Sequence, residues 1–302
     1  MNNIARKLVL SALTVVLTVA ALGTTTFAWF TLTNTAAVQP FQASVVADTG
    51  IEVSLNAVDW YTTITEANIE AYIATTSFSN FTHVTTATGL DGSFYTLGTG
   101  SLDPTAAGWL EIPLYFRSNS ATAIDWTAVT LSSPVYSWTA DVAFTSATGS
   151  AVVSGGSVSV DASNSMRISI QGQDHVTSTP VTIVSVFENP ASNNSNVVLG
   201  GDGVTPVDYS NGGIGANGSY NYYFAKTGTL ITGTNAVVVV PTITSIGTVR
   251  VTELADNTAY DTTYAGQITI RIWLEGWDAD AYNSILAREI TAAFTFIGGT
   301  RA

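Results

Sequence analysis

Gln267-Ile-Thr-Ile-Arg-Ile-Trp-Leu274 is the stretch on which the fold turns. Ile268, Ile270, Ile272 and Leu274 fall on one side of an extended chain, and Thr269, Arg271 and Trp273 on the other. Side chains alternate across a strand with a period of two, so this is a β-strand with one core face and one different face. Glu289–Ile297 (EITAAFTFI) repeats the pattern, with Phe294 and Phe296 on one face. Between the two lies EGWDADAYNSILA, where Asp280 is placed to cap a short helix over Ala281–Ala287. Its carboxylate can accept the free N–H groups of the first turn.

Working outward, the same alternation recurs. Ile51, Val53 and Leu55 alternate with Glu52 and Ser54. Trp109–Arg117 (WLEIPLYFR) alternates around Ile112, Leu114 and Phe116; Pro113 has no N–H to give to a neighbour, which predicts an edge strand or a bulge. Trp126–Leu131, Val135–Phe144, Val181–Phe187, Val237–Val240 with Ile243, and Thr248–Glu253 read as further strands. Val152 to Ile170 reads as a meander turning at Gly155-Gly156 and Ser163-Asn164. A second short helix is predicted over Ile64–Ala74, with Thr65 or Thr63 as its cap. Residues 189–221, rich in Gly, Asn and Ser, read as a long loop. The expected class is all-β, a β-sandwich with one or two short peripheral helices behind an N-terminal signal helix. Residues 29–302 are taken as one secreted domain, with an inserted β subdomain at 140–235 as the alternative partition.

The signal helix is read from residues 1–28. Arg6 and Lys7 give a basic start, Leu8–Leu22 an apolar run, and Thr26-Phe27-Ala28 a small-x-small exit. A signal peptidase reads that order. The run is shorter than the ~20 residues of a spanning helix, which predicts a cut between Ala28 and Trp29. Membrane contact is expected only through this segment if it is retained. The cut removes two of the nine basic residues and none of the 22 acidic ones, leaving seven against 22, a formal −15. Such a surface repels nucleic acid and anionic lipid. Cysteine is absent, so no disulfide framework supports the fold, and a large apolar core must.

The ending Ala28-Trp29-Phe30-Thr31 resembles the signal peptides of TasA/camelysin-like proteins of Gram-positive-type bacteria. The resemblance extends over three patches: 24–35, the Ile112-Pro-Leu-Tyr-Phe-Arg-Ser118 strand within 111–118, and the Trp273-Leu-Glu-Gly-Trp-Asp-Ala-Asp280 ending within 268–297. It implies a jelly-roll-like sandwich, export through a SipW-type peptidase, and a place on the cell surface or in the extracellular matrix.

Catalytic constellations are not apparent. His83 and His175 have no Glu or His partner at metal-ligand spacing, and both read as surface or loop histidines. There is no HExxH, no Gly-x-Ser-x-Gly elbow and no Gly-rich loop opening a helix. No enzyme activity and no cofactor are expected. Glu275, Asp278 and Asp280 put three hard oxygens near one turn and suit Ca²⁺, while helix capping explains Asp280 without a metal. Trp60-Tyr61, Trp109, Tyr222-Tyr223 and Trp273 with Trp277 are readable as sugar platforms or as core aromatics.

Two functions follow. The first is an exported structural subunit that self-associates into a filament, biofilm matrix fibre or surface coat. Its assembly strand would be the mature N-terminus, with Trp29, Phe30, Leu32, Val38 and Phe41 in a tract (29–48) that has no evident home in the fold. The second is a monomeric cell-surface module that binds glycan or protein through the 189–221 loop and exposed aromatics.

Overall fold

A computed structural model describes residues 41–47, 50–86, 92–97, 102–146, 148–172, 186–190, 218–228, 242–276, 278, 280, 281, 285 and 288–301. In chain order the first strands are β1 (Phe41–Ala47), β2 (Ile51–Ser54), β3 (Thr63–Ile64), β4 (His83–Val84), β5 (Phe94–Leu97), β6 (Leu102–Thr105), β7 (Trp109–Ser118), β8 (Ala123–Ser132), β9 (Tyr136–Thr139) and β10 (Phe144–Thr145). There follow β11 (Ala151–Val152), β12 (Ser157–Val160), β13 (Met166–Gly172), β14 (Val186–Glu188), β15 (Thr242–Ile243), β16 (Val249–Glu253), β17 (Ala255–Asp256), β18 (Tyr264–Glu275) and β19 (Ile290–Gly299). Two α-helices accompany them among the described residues, α1 (Glu66–Ile73) and α2 (Gly218–Thr227). The protein is mostly β, as its alternation predicts.

β18 is the axis of an eight-stranded sheet ordered β15-β14-β13-β18-β7-β2, with β4 and β17 joined to the two ends of β18. It pairs antiparallel with β13 from Met166↔Leu274 to Gly172↔Ile268, and with β7 from Trp109↔Trp273 to Ser118↔Tyr264. A five-stranded sheet runs β16-β8-β19-β1-β3. Its pairs are antiparallel except β1 with β19.

The inner faces of both sheets contribute to one apolar core. Ile112, Leu114 and Phe116 of β7, Ile168 and Ile170 of β13, and Ile268, Ile270 and Ile272 of β18 join Trp126 of β8 and Phe294 and Phe296 of β19. The rings of Phe116 and Phe296 meet edge-on at 5.4 Å between centroids, and Trp126 meets Phe187 at 6.3 Å. Each such fully buried side chain contributes about 1.5–3 kcal/mol, which is how a cysteine-free chain holds itself. At one end the backbones approach closely. A Cβ on Gly172 would sit 1.8 Å from the Val251 carbonyl oxygen, so only glycine lets β13 pass β16 there.

α1 forms as its sequence predicts. The Thr65 side chain accepts from the Asn68 N–H while the Asn68 side chain accepts from the Thr65 N–H, a reciprocal cap. Ile69 faces the core, and the Tyr72 hydroxyl donates to the Glu111 carbonyl at 3.4 Å. Pro113 sits on a strand that is central at one end and an edge at the other. β2 pairs with β7 only from Tyr115 to Ser118, so at Pro113 no ladder donor is needed on that side.

Three expectations are corrected. Phe41 does not belong to a homeless tract, because Phe41–Ala47 is β1, parallel to β19 from Phe41↔Ile290 to Ala47↔Phe296. Val45 and Ala47 are buried and Val46 exposed, so β1 carries its own core face. The 189–221 loop ends earlier than read, since Gly218 opens α2. Tyr222 is buried between Trp138 (5.6 Å) and Phe144 (5.3 Å), and this packing overrides the poor helix propensity of Gly and Asn. His83 is buried on β4 opposite Leu274 rather than on the surface, because the parallel pairing with β18 carries it inward. Within 140–235, β13 and β14 are strands of the eight-stranded sheet, while β10 with β11, and β12 with β9, form two-stranded sheets. The strand at Val237–Val240, His175 and residues 191–217 lie outside the described residues, as does the helix expected at Ala281–Ala287 apart from Ala281 and Ile285.

Candidate functional site

The outer face of the eight-stranded sheet is built of cross-strand rows fixed by register. One row reads Glu188, Arg167, Trp273, Trp109; the next reads Val186, Ser169, Arg271, Glu111; further along, Arg117 stands between Ala265 and Glu52. The first row is covered. Val84, Phe94 and Val186 pack with Trp273 and Trp109 in a small second core, with Phe94 stacked on Trp109 at 4.5 Å. Arg167, in the same row, is 1% exposed, with Glu188 and Asp278 at 0% and Glu275 at 3%.

Arg167 Nη2 donates to Asp278 Oδ2 at 2.6 Å and lies 3.1 Å from Glu188 Oε2. Its Nη1 donates to the carbonyls of Met166 and Asn164 at 3.0 and 3.2 Å. Asp278 Oδ1 accepts from the Ser165 hydroxyl at 3.3 Å and from the Asp280 N–H at 2.9 Å. Trp273 Nε1 donates to Glu275 Oε2 at 3.1 Å. Burial alone lowers the pKa of Arg167; the fields of Asp278, Glu188 and Glu275 outweigh it and hold the guanidinium above its ordinary value. One buried cation therefore ties β13, β14 and the turn after β18 together.

The structure thus brings Glu275 and Asp278 together, around Arg167. Asp280 contributes its main-chain N–H to that turn. Both carboxylate oxygens of Asp278 already face protein donors, and among the described residues no group of three His, Cys, Asp or Glu side chains is arranged to hold a metal ion. The sequence signal for the acidic turn was present; the signal for its partner was not, because Arg167 lies 111 positions away.

Of the aromatic candidates, Trp273 and Tyr222 are fully buried and Tyr223 nearly so, and Trp109 is stacked beneath Phe94. Trp60 remains half-exposed, with the Arg117 guanidinium 4.5 Å from its ring centroid and Tyr260 at 5.2 Å. Trp277 lies outside the described residues.

The assembly residues Trp29, Phe30, Leu32 and Val38, and the cleavage residue Ala28, also lie outside them. Their continuation is β1, held by β19 on one side. On the other, β3 pairs only at Val45↔Ile64 and Val46↔Thr63, and the Ala47 N–H donates to the Thr62 carbonyl at 3.0 Å. At the far margin of the same sheet, β16 pairs with β8 and, among the described residues, with no other strand. No helix among the described residues is long and apolar enough to cross a membrane. Compared with known proteins, the chain matches no family model and no curated sequence.

Proposed function

We propose that this chain is an exported, non-enzymatic structural protein whose copies assemble into an extracellular filament, matrix fibre or surface coat. Signal peptidase cuts between Ala28 and Trp29, and the freed N-terminal tract adds a strand to a neighbouring copy. We read the two sheets as a sandwich of jelly-roll type. In support, β1-β19-β8-β16 lie in one sheet and β7-β18-β13-β14 in the other. The chain visits them in the order of two Greek keys, changing sheet at each step except from β13 to β14. The parallel β1–β19 pair departs from that plan.

The observation that carries the assembly reading is the position of β1. It is the first described strand, it stands near the margin of its sheet, and the tract from Trp29 runs directly into it. Residues 29–47 include no charged residue in a chain of formal charge −13, so the tract can approach another copy without adding to their repulsion. Main-chain hydrogen bonds would supply the affinity. The correction at Phe41 narrows the donated tract to residues ahead of β1. Sedimentation and negative-stain microscopy of the chain beginning at Trp29 test the reading. Fibres are expected; a monomer at all concentrations overturns it.

A further inference from the structure

Beyond Glu111 the outer face of the eight-stranded sheet loses its cover, and half-exposed aromatic rings follow β7 along its length. Tyr72 leans in from α1, donates to the Glu111 carbonyl, and has its pKa raised by burial and by the nearness of Glu111 and Tyr115. Tyr115 is on β7 itself, opposite Gln267. Two residues on, Arg117 reaches over Trp60, and Trp60 contacts Tyr260. All four aromatic residues are partly exposed. From Glu111 to Arg117 the strip runs about 20 Å, at ~3.3 Å per strand residue. At the Tyr72 end it opens on a cavity of about 180 Å³ lined by Ser77, Ser79, Trp109 and Glu111 among others.

We infer that this strip binds an uncharged polysaccharide chain. A pyranose presents apolar C–H faces and a rim of hydroxyls. Rings spaced along a strand stack on the faces, while Glu111, Gln267, Glu52 and the cavity hydroxyls bond the rims. On the strip each carboxylate is paired with an arginine, Glu52 with Arg117 and Glu111 with Arg271, so the local charge is balanced; the formal charge of −13 on the whole chain disfavours an anionic polymer. Trp60 is held for the task. The Arg117 guanidinium over it is itself fixed by Glu52 at 2.7 Å and by the Tyr260 carbonyl at 3.1 Å. Tyr61, the next residue, bridges Val53, a core-facing position, and by strand alternation belongs to the other side. The inference stands apart from the assembly reading and survives its failure.

Calorimetric titration of the chain beginning at Trp29 with cellohexaose and with chitin hexamer tests it, with polygalacturonate as the anionic arm. Binding is expected for at least one neutral probe. Trp60→Ala and Tyr115→Ala should each weaken it about tenfold, the loss of one stacking contact of roughly 1.4 kcal/mol. Tyr61→Ala, on a more exposed ring (38%), should leave it unchanged. Trp60→Phe, which keeps a ring, should retain more affinity than Trp60→Ala, and thermal melts of each variant separate lost binding from lost folding. No binding to either neutral probe, binding to polygalacturonate alone, or a Tyr61→Ala loss equal to that of Trp60→Ala overturns the inference.

Discussion

Arg167 and Arg117 occupy the same face of the same sheet, each directly opposite a glutamate, and they do different work. Arg167 faces Glu188 with Asp278 and Glu275 close by and almost no solvent. Arg117 faces Glu52 with side-chain exposures of 21% and 40%. Water screens the second pair, so its contribution to stability is small. The first pair gave up its hydration on folding, and each partner depends on the others to offset that cost. Between them, Arg271 donates to Glu111 at 2.8 Å and to Gln171 at 2.9 Å, with 10% of its side chain exposed. Burial, not the pairing, grades the three arginines, whose side chains are 2%, 10% and 21% exposed at Arg167, Arg271 and Arg117. The buried end clamps the fold, and the open end is free to meet a ligand.

Substitutions along this gradient should rank accordingly in urea unfolding. Arg167→Met strands buried carboxylates without their cation and should cost about 3–5 kcal/mol. A loss under about 1 kcal/mol would erase the contrast. Arg271→Ala should fall between, near 1.5 kcal/mol, as a charged donor lost from two partners. Arg117→Ala should cost less than about 1 kcal/mol, a loss that shrinks further in high salt. The smallest effect at neutral pH belongs to Tyr222, whose hydroxyl is pushed well above its ordinary 10.0 by burial and then by Asp141. The folded state holds that proton more tightly than the unfolded chain. Its contribution is therefore intact below pH 10 and is lost as pH rises beyond it. Melts should stay level from pH 7 to 9 and fall above 10, and Tyr222→Phe should soften the fall.

Much of the framework was legible because strand alternation is local. Ile268 through Leu274 announced both faces of β18, and Thr65 announced the start of α1. What stayed hidden was what one part of the chain does for another. Arg167 reads as an ordinary strand residue until β18 brings Asp278 to it. β1 seemed homeless because its partner β19 lies at the opposite end of the chain. α2 was masked by a Gly- and Asn-rich lead, and only the pocket formed by Trp138 and Phe144 makes Tyr222 helical. The acidic turn was visible, but its chemistry was set by a distant cation. The aromatic strip was half visible: Trp60 stood out, while nothing local placed Tyr72, Tyr115 and Tyr260 beside one another.

The proposed function assigns assembly to the tract ahead of β1. Deletion of Trp29–Gln39 from the mature chain, followed by sedimentation and negative-stain microscopy, tests that assignment most directly. The account predicts a folded monomer with an unchanged melting temperature and no fibres, under conditions where the chain beginning at Trp29 forms them. Fibres that persist after the deletion would contradict it.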